Sequence, residues 1–223
     1  MVSDEIMVVK SSSPFFSVVI TTYNRAPLLK RALNSLIAQT EKDWEAIVID
    51  DGSTDDTTIQ IAPYLKKNHN IQYIKGECRG ATGAKNAGMA LCSGKYITFL
   101  DSDDEYDQAH LATRKEIIEK NPSVDFLHGG VKITGSPLVP DRYDYGKMIN
   151  LSECVVGGSF FIRKQLALSV GGFTEMPLGS DADLFERVSK MNVEVIKVEL
   201  PTYVYHRETL NSITNNLSGT VVY

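Results

Sequence analysis

Two apolar runs in this chain break abruptly into acidic clusters. Ala46-Ile47-Val48-Ile49 runs into Asp50-Asp51-Gly52, and Tyr96-Ile97-Thr98-Phe99-Leu100 runs into Asp101-Ser102-Asp103-Asp104. Short runs rich in β-branched and aromatic residues read as buried strands of an α/β sheet. In an open sheet of that kind, ligands bind at the carboxyl ends of the strands. Carboxylates crowded there repel one another unless positive charge sits between them. A hard divalent cation, Mn²⁺ or Mg²⁺, fits that need, because it takes oxygen ligands and bridges carboxylates to substrate phosphates. A lone Asp-x-Asp is more often a solvated turn capping a helix, here one starting near Asp107. Its place at a strand end, with a second acidic strand end upstream, reverses that preference.

The rest of the first half alternates strand and helix. Phe16 to Thr22 reads as the first strand and is followed by Tyr23-Asn24-Arg25. Leu28, Leu29, Ala32, Leu33, Leu36 and Ile37 follow helical spacing, and Pro27 suits a first helical turn. Glu45 to Ile49 is the second strand. A helix over about 54–66 follows, disturbed by Pro63. Ile71 to Ile74 is the third strand, and Gly83 to Leu91 a helix that leads into the strand ending at Asp101. This alternation implies a largely parallel sheet with right-handed crossovers. Gly52 permits a positive φ, and Ser53 with Asp56 has the spacing of a capping box. The second half is less regular. Residues 124–128, 131–133, 155–162 and 193–198 read as strands, 163–169 and 182–190 as helices, and 136–150 as a loop.

Composition narrows the functional classes. The 223 residues suit one α/β domain with a sizeable core, and a net charge of −5 argues against a nucleic-acid binder. Cys78, Cys92 and Cys154 are odd in number, lack metal-ligand spacing and read as reduced cytosolic thiols, not as nucleophiles. No run of 18 apolar residues encodes a transmembrane helix. Met1 to Ser13 lacks a signal-peptide pattern.

The motifs carry a family resemblance. Ser17 to Arg25, Val48 to Asp55 and Asp101-Ser102-Asp103 resemble glycosyltransferase family 2. Gly83-Ala84-Lys85-Asn86-Ala87-Gly88 looks like its small-residue segment with a basic residue before Asn. Gly171-Gly172-Phe173-Thr174-Glu175 resembles its Gly-Gly-Phe-Asp-Glu, with Thr174 in place of Asp. Ser180-Asp181-Ala182-Asp183-Leu184 resembles its Glu-Asp-x-Asp-Leu, with Ser180 in place of Glu. Each motif is weak alone; six in order, from Phe16 to Thr214, are specific.

The resemblance implies a GT-A fold: one Rossmann-like α/β domain with a mainly parallel central sheet flanked by helices and a smaller acceptor-side β portion. It divides the chain into an N-terminal tail (1–14), a domain (15–215) and a C-terminal tail (216–223). Within the domain, 15–104 would bind the nucleotide and 105–215 the acceptor. The implied reaction is inverting transfer of a sugar from a nucleotide-diphosphate donor, UDP-sugar favoured, to a hydroxyl of a carbohydrate or lipid-linked acceptor. Such a chain would work in the cytoplasm, and a lipid-linked acceptor would draw it to the inner membrane face.

The same resemblance assigns roles. Thr21, Tyr23 and Asp51 match positions that contact the base; an exposed aromatic can stack on it. Asp50 reaches ribose or stays structural. Lys85 neutralises phosphate or orients Asp101, against a plain role as an exposed helix lysine. Asp103 is the main metal ligand and Asp101 its helper, while Asp104 caps the next segment or faces water. His206 is a further metal candidate, although its spacing departs from the commoner pattern. Asp181 aligns with the general base, against a plain N-cap role, and Asp183 supports it. Trp44 reads as packing, and Arg163 as a surface group or an acceptor contact. A nucleotidyltransferase would carry a glycine-rich basic loop after strand one, which Thr21 to Arg25 lacks. A degenerate sugar-nucleotide-binding module is the other alternative; Thr174 and Ser180 leave room for it, and Asp103 and Asp181 argue against it.

Overall fold

The computed structural model describes residues 13–208. The expected domain end at 215 and the C-terminal tail lie outside them, as does nearly all of the N-terminal tail.

The first half builds β1 (Phe16–Thr22), α1 (Ala26–Ile37), β2 (Trp44–Asp50), α2 (Thr57–Lys67), β3 (Ile71–Lys75), α3 (Gly80–Leu91) and β4 (Tyr96–Asp101). The second half adds β5 (Glu105–Tyr106), α4 (His110–Lys120), β6 (Val124–His128), β7 (Val131–Thr134), β8 (Leu138–Pro140), β9 (Met148–Asn150), β10 (Phe161–Arg163), α5 (Lys164–Ser169), α6 (Ser180–Ser189), β11 (Glu194–Lys197) and β12 (Tyr203–His206). Seven strands form one sheet in the order β11-β6-β10-β4-β1-β2-β3. All pairings in it are parallel except those of β10, which runs against both β4 and β6. This is the expected α/β class with a mixed, mostly parallel sheet. A smaller sheet, β5-β12-β7, and the hairpin β8–β9 complete it.

Alternation along the strands divides the core between the sheet faces. Val18, Ile20, Ala46, Val48 and Leu100 pack with Leu29, Leu33 and Leu36 of α1, Ile61 of α2 and Leu111 and Ile118 of α4. Val19, Ile47, Ile49, Ile97 and Phe99 pack with Ala84 and Met89 of α3, Leu166 of α5 and Leu184 and Val188 of α6. Each Val, Leu, Ile, Phe or Met side chain among them contributes about 1.5–3 kcal/mol by leaving water. The small residues of α3 let it lie close to the sheet. A Cβ on Gly88 would strike Val19 and stand 3.3 Å from Ile49.

Register sets the site. Thr21 pairs with Asp101 and Thr22 with Asp50, so the carboxyl ends of β1, β2 and β4 form one edge.

Several local expectations change. Residues 136–150 form the hairpin β8–β9 rather than a loop, with Val139 opposite Ile149. The expected strand over 155–162 shrinks to β10, because Gly157–Ser159 is a 3-10 turn. That turn needs glycine: a Cβ at Gly158 would enter the ring of Tyr203. Pro63 does not disturb α2, whose Ile61 packs into the core and whose Tyr64 hydroxyl donates to Asn34 Oδ1 at 2.9 Å. The Ser53/Asp56 capping box does not form. Ser53 Oγ accepts instead from Asn24 N–H at 2.9 Å, and Asp55 Oδ1 accepts from Thr57 N–H at 3.0 Å. Arg163 is a brace, 2.8 Å from Asp125 and donating to the carbonyls of Pro122 and Val124. Trp44 is buried, as expected of a packing residue.

Candidate active site

Loops after β1 and β2 are stitched together. Asn24, at a φ of 52°, accepts through Oδ1 from the N–H groups of Thr54 and Asp55, and Asp55 accepts from Ala26 N–H. This leaves Thr21 half-buried at the edge and Tyr23 50% exposed beside it. Such a ring has one face for its own chain and one for a flat ligand.

The two aspartates of the first acidic strand end both turn inward. Asp50 is fully buried; its Oδ1 accepts from Ser53 N–H at 2.7 Å and its Oδ2 from the Tyr73 hydroxyl. Asp50 has no exposed surface, which favours its structural alternative over contact with a ribose. Asp51 is 6% exposed and accepts from Arg79 N–H at 2.7 Å and Gly80 N–H at 2.9 Å. It ties the start of α3 to β2. Each carboxylate oxygen has two lone pairs, so these bonds leave acceptor capacity for a ligand.

The second acidic strand end is held by cations. Lys85 Nζ stands 3.1 Å from Asp101 Oδ1. Lys85 is buried, not an exposed helix lysine. Burial works to lower its pKa, but the charges of Asp101 and Asp181 outweigh it, and the pKa is raised. Asp103 pairs with Arg25 Nη1 at 2.7 Å, and Arg31 donates to its backbone carbonyl. Burial pushes the Asp103 carboxyl up despite Arg25 beside it. Asp101 keeps 33% of its side chain exposed.

Asp104 neither caps a segment nor faces water. It is 1% exposed, accepting from the Tyr203 hydroxyl at 2.6 Å and from His206 N–H at 2.8 Å. Burial, then the charges of Asp101 and Asp103, push its pKa well up. These bonds fasten β12 to the acidic loop. His206 lies near that loop, but its ring is engaged on both sides, with Glu105 at 2.8 Å and Thr134 at 3.1 Å. In this arrangement His206 anchors β12, and its ring would have to release Glu105 or Thr134 to reach a metal ion.

Asp181 lies in the first turn of α6, whose N-cap is Gly179, so Asp181 is not the N-cap. Its Oδ2 accepts from Gly157 N–H at 2.8 Å. A Cβ at Gly157 would stand 2.5 Å from Asp181 Oδ1, which is why the 3-10 turn carries glycine there. Asp183 pairs with Arg187, which donates to the carbonyls of Val170 and Gly172. Its place is bracing the Gly171-Gly172-Phe173 turn. Asn86 grips the same turn from α3, donating to Phe173 O and accepting from Phe173 N–H, both at 2.8 Å. Lys85 and Asn86 thus divide two tasks, one facing the acids and one holding the turn.

Among the described residues, no three His, Cys, Asp or Glu side chains form a group that could hold a metal ion by themselves. Asp101 and Asp103 nonetheless supply two hard oxygen donors at a strand end. That donor set fits Mn²⁺ or Mg²⁺ bound through one or two carboxylates plus substrate phosphate and water. All three cysteines are free, and burial pushes the Cys92 thiol up to about 12, which leaves it a poor nucleophile.

Sequence reasoning missed Arg25, Arg31 and Asn24 as partners of the acidic loops. For Asn24 and Arg25 the sequence signal was their position directly after β1, at the ligand-binding edge; Arg31, inside α1, carried none.

The family model of Glycosyl transferase family 2 matches residues 17–153. The Escherichia coli protein UDP-Glc:alpha-D-GlcNAc-diphosphoundecaprenol beta-1,3-glucosyltransferase WfgD is 29% identical over 148 residues, 63% of this chain and 56% of its own length. The chain spans 15% to 56% of the length of such curated relatives. Among solved structures, Staphylococcus aureus TarS 1-349 in complex with UDP-GlcNAc aligns over 92% of this chain and 61% of its own, with TM-score 0.76 and 22% identity. The Pyrobaculum calidifontis mannosyltransferase PcManGT, in complex with GDP-Man and Mn²⁺, aligns over 92% and 60%, with TM-score 0.70 and 18% identity. At these identities the structural likeness speaks for the GT-A fold alone.

Proposed function

The chain belongs to glycosyl transferase family 2, and we propose that it moves a sugar from a nucleotide-diphosphate donor to an acceptor hydroxyl with inversion. The observation that carries this is Asp101 at the carboxyl end of β4, 3.1 Å from the buried ammonium of Lys85, whose pKa is raised by the charge of Asp101 and then by that of Asp181. The same cation thereby feels both the carboxylate at the strand end and the carboxylate proposed as the base. The name of WfgD supports a UDP-sugar donor and a lipid-linked acceptor. Residues 15–104 then hold the nucleotide and 105–215 the acceptor. On this reading the reaction runs in the cytoplasm, with a lipid-linked acceptor met at the membrane face. Among the described residues no helix is long and apolar enough to cross a membrane.

The chain's own groups divide the work. Tyr23 stacks on the base, while Thr21 and Asp51 hydrogen-bond its edge. Lys85 keeps positive charge beside the diphosphate, where negative charge grows as the glycosidic bond breaks. Asp101 and Asp103 would hold Mn²⁺ or Mg²⁺, which supplies Lewis-acid stabilisation of that leaving group. Asp181, oriented by Gly157 N–H, takes the proton of the attacking hydroxyl. One displacement with one base inverts the anomeric centre.

Asp181→Asn tests the reading. The substitution is nearly isosteric, so donor affinity by calorimetry should hold while transfer falls by about 10²-fold or more. Near-normal transfer by the folded variant would remove Asp181 as the base. A retained anomeric configuration in the wild-type product, read by NMR, would reject single displacement.

A further inference from the structure

The β8–β9 hairpin makes a contact with α6 that the reaction scheme above does not use. Its tip, between Pro140 and Met148, is internally braced. Asp141 N–H donates to Lys147 O at 2.8 Å, Tyr143 N–H to Asp141 Oδ1 at 2.8 Å, and Lys147 N–H to Asp144 O at 2.9 Å. The base of the hairpin is closed by Leu151 N–H donating to Pro137 O at 2.8 Å. From this tip Arg142 reaches across to α6. Its side chain is only 18% exposed, although the neighbouring Tyr143 is 82% exposed.

Arg142 touches α6 at two places. Its aliphatic stem lies against Gly179, the N-cap residue, held at a φ of +87°. A Cβ there would stand 2.7 Å from Arg142 Cδ and 3.0 Å from its Cβ. Its guanidinium pairs with Glu186, seven residues further on, and lies over the Tyr143 ring at 4.5 Å. Seven residues are two helical turns, so Gly179 and Glu186 share a face. An arm that contacts one helix face at two heights constrains both its rotation and its axial position. Asp181 sits between those two grips, in the first turn. Its carboxylate must meet Gly157 N–H on one side and the field of Lys85 on another.

We propose that Arg142 is a positioning residue for the general base, acting through Gly179 and Glu186 to hold the first turn of α6 where Asp181 meets the acceptor hydroxyl. The inference rests on Asp181 being the base. A displacement of about 1 Å at a reacting group can cost as much as a hundredfold in rate, so a loosened helix start is enough to register.

The test is a double-mutant cycle on the full chain, with a UDP-sugar donor and an acceptor that the wild type turns over. Arg142→Ala should lower kcat by roughly ten- to a hundredfold, with donor KM and the melting temperature close to wild type. Arg142→Lys should restore part of the rate, because it keeps a charge for Glu186 without the planar stack on Tyr143. Glu186→Gln, at a more exposed position, should show a smaller loss of the same kind and serves if Arg142→Ala does not fold. In the Asp181→Asn background, Arg142→Ala (or Glu186→Gln) should cost little more, since a residue that acts through Asp181 has nothing left to position. An undiminished kcat in both single variants, a loss confined to donor KM, or a full additional loss on top of Asp181→Asn would overturn the proposal. Near-normal transfer by Asp181→Asn itself would instead overturn the assignment of the base on which it stands.

Discussion

The two acidic strand ends look alike in sequence and differ in what satisfies them. At the end of β2, Asp50 and Asp51 accept from the chain's own N–H and hydroxyl groups, in Ser53, Tyr73, Arg79 and Gly80. At the end of β4, Asp101 and Asp103 face Lys85 and Arg25. A carboxylate bonded to backbone N–H groups organises a loop, because those donors have nowhere else to go. A carboxylate beside side-chain cations sits in a field that also suits an incoming phosphate. The first end is thus held by the chain's own donors, and the second by side-chain cations, which is the difference the proposed chemistry draws on.

The largest effect should separate them most clearly. Asp103→Asn should cut turnover by about 10²-fold or more, on the scale of losing one charge-stabilising group at a reacting centre. Removing divalent cations from the wild type with EDTA should do the same. The melting temperature should change little, since the variant also relieves the cost of burying a charge that pushes the Asp103 carboxyl up. Full activity of the variant, or of the wild type in excess EDTA, would erase the distinction between the two ends.

Asp50→Ala should behave in the opposite way. Two buried charge-assisted hydrogen bonds are lost, for about 3 kcal/mol or more together, or roughly 6–12 °C in melting temperature for a domain of this size. A variant that melts like wild type yet no longer binds donor would make Asp50 a ligand group after all.

A milder effect tests the pocket between them. Tyr23→Ala should weaken nucleoside diphosphate binding by about two- to twelvefold without altering stability, as expected for loss of one stacking contact worth about 0.5–1.5 kcal/mol. Asp51→Ala should weaken the same ligand and also lower the melting temperature, since it releases Arg79 and Gly80. Unchanged calorimetric affinity in both variants would put the base elsewhere.

The smallest effect is a pH dependence at the first end. Burial nudges the Asp55 carboxyl up, but the Thr57 hydroxyl and the N–H groups of Ala26 and Thr57 outweigh it, leaving its pKa below the ordinary 3.8. A depressed folded pKa means stability that is present above 3.8 and lost as pH falls through the lower folded value. Melting curves between pH 5 and pH 2 should therefore drop more steeply for wild type than for Asp55→Asn, by a small margin because the group is exposed. Parallel curves would mean that Asp55 carries no net linkage.

Much of this was legible in the chain itself, where local chemistry decides it. Strand β4 is a β-branched and aromatic run, and α1 carries apolar residues at helical spacing, so both are readable from short windows. Asp101 and Asp103 stand out because carboxylates crowded at a strand end are costly without a counter-charge, whereas Lys85 and Asp181 were legible through the family resemblance of the segments that carry them. The hairpin β8–β9 was not legible, because strands of three residues, one ending in Pro140, carry too little periodicity to register. Strand β12 escaped for a similar reason: its four residues gain strand geometry from pairing with β5 and β7.

What the sequence determined by itself is the α/β alternation, the acidic strand ends and the residue types available for phosphate, cation and proton chemistry. Those follow from periodicity and side-chain chemistry within a few residues. Only the tertiary structure decided which aspartates face inward and which face cations, that Asp104 anchors β12 and that His206 is held by Glu105 and Thr134. The partners lie up to 102 residues apart in the chain. A carboxylate's role depends on the donors within about 3 Å of it, and those are brought there by sheet register and helix packing rather than by neighbouring sequence.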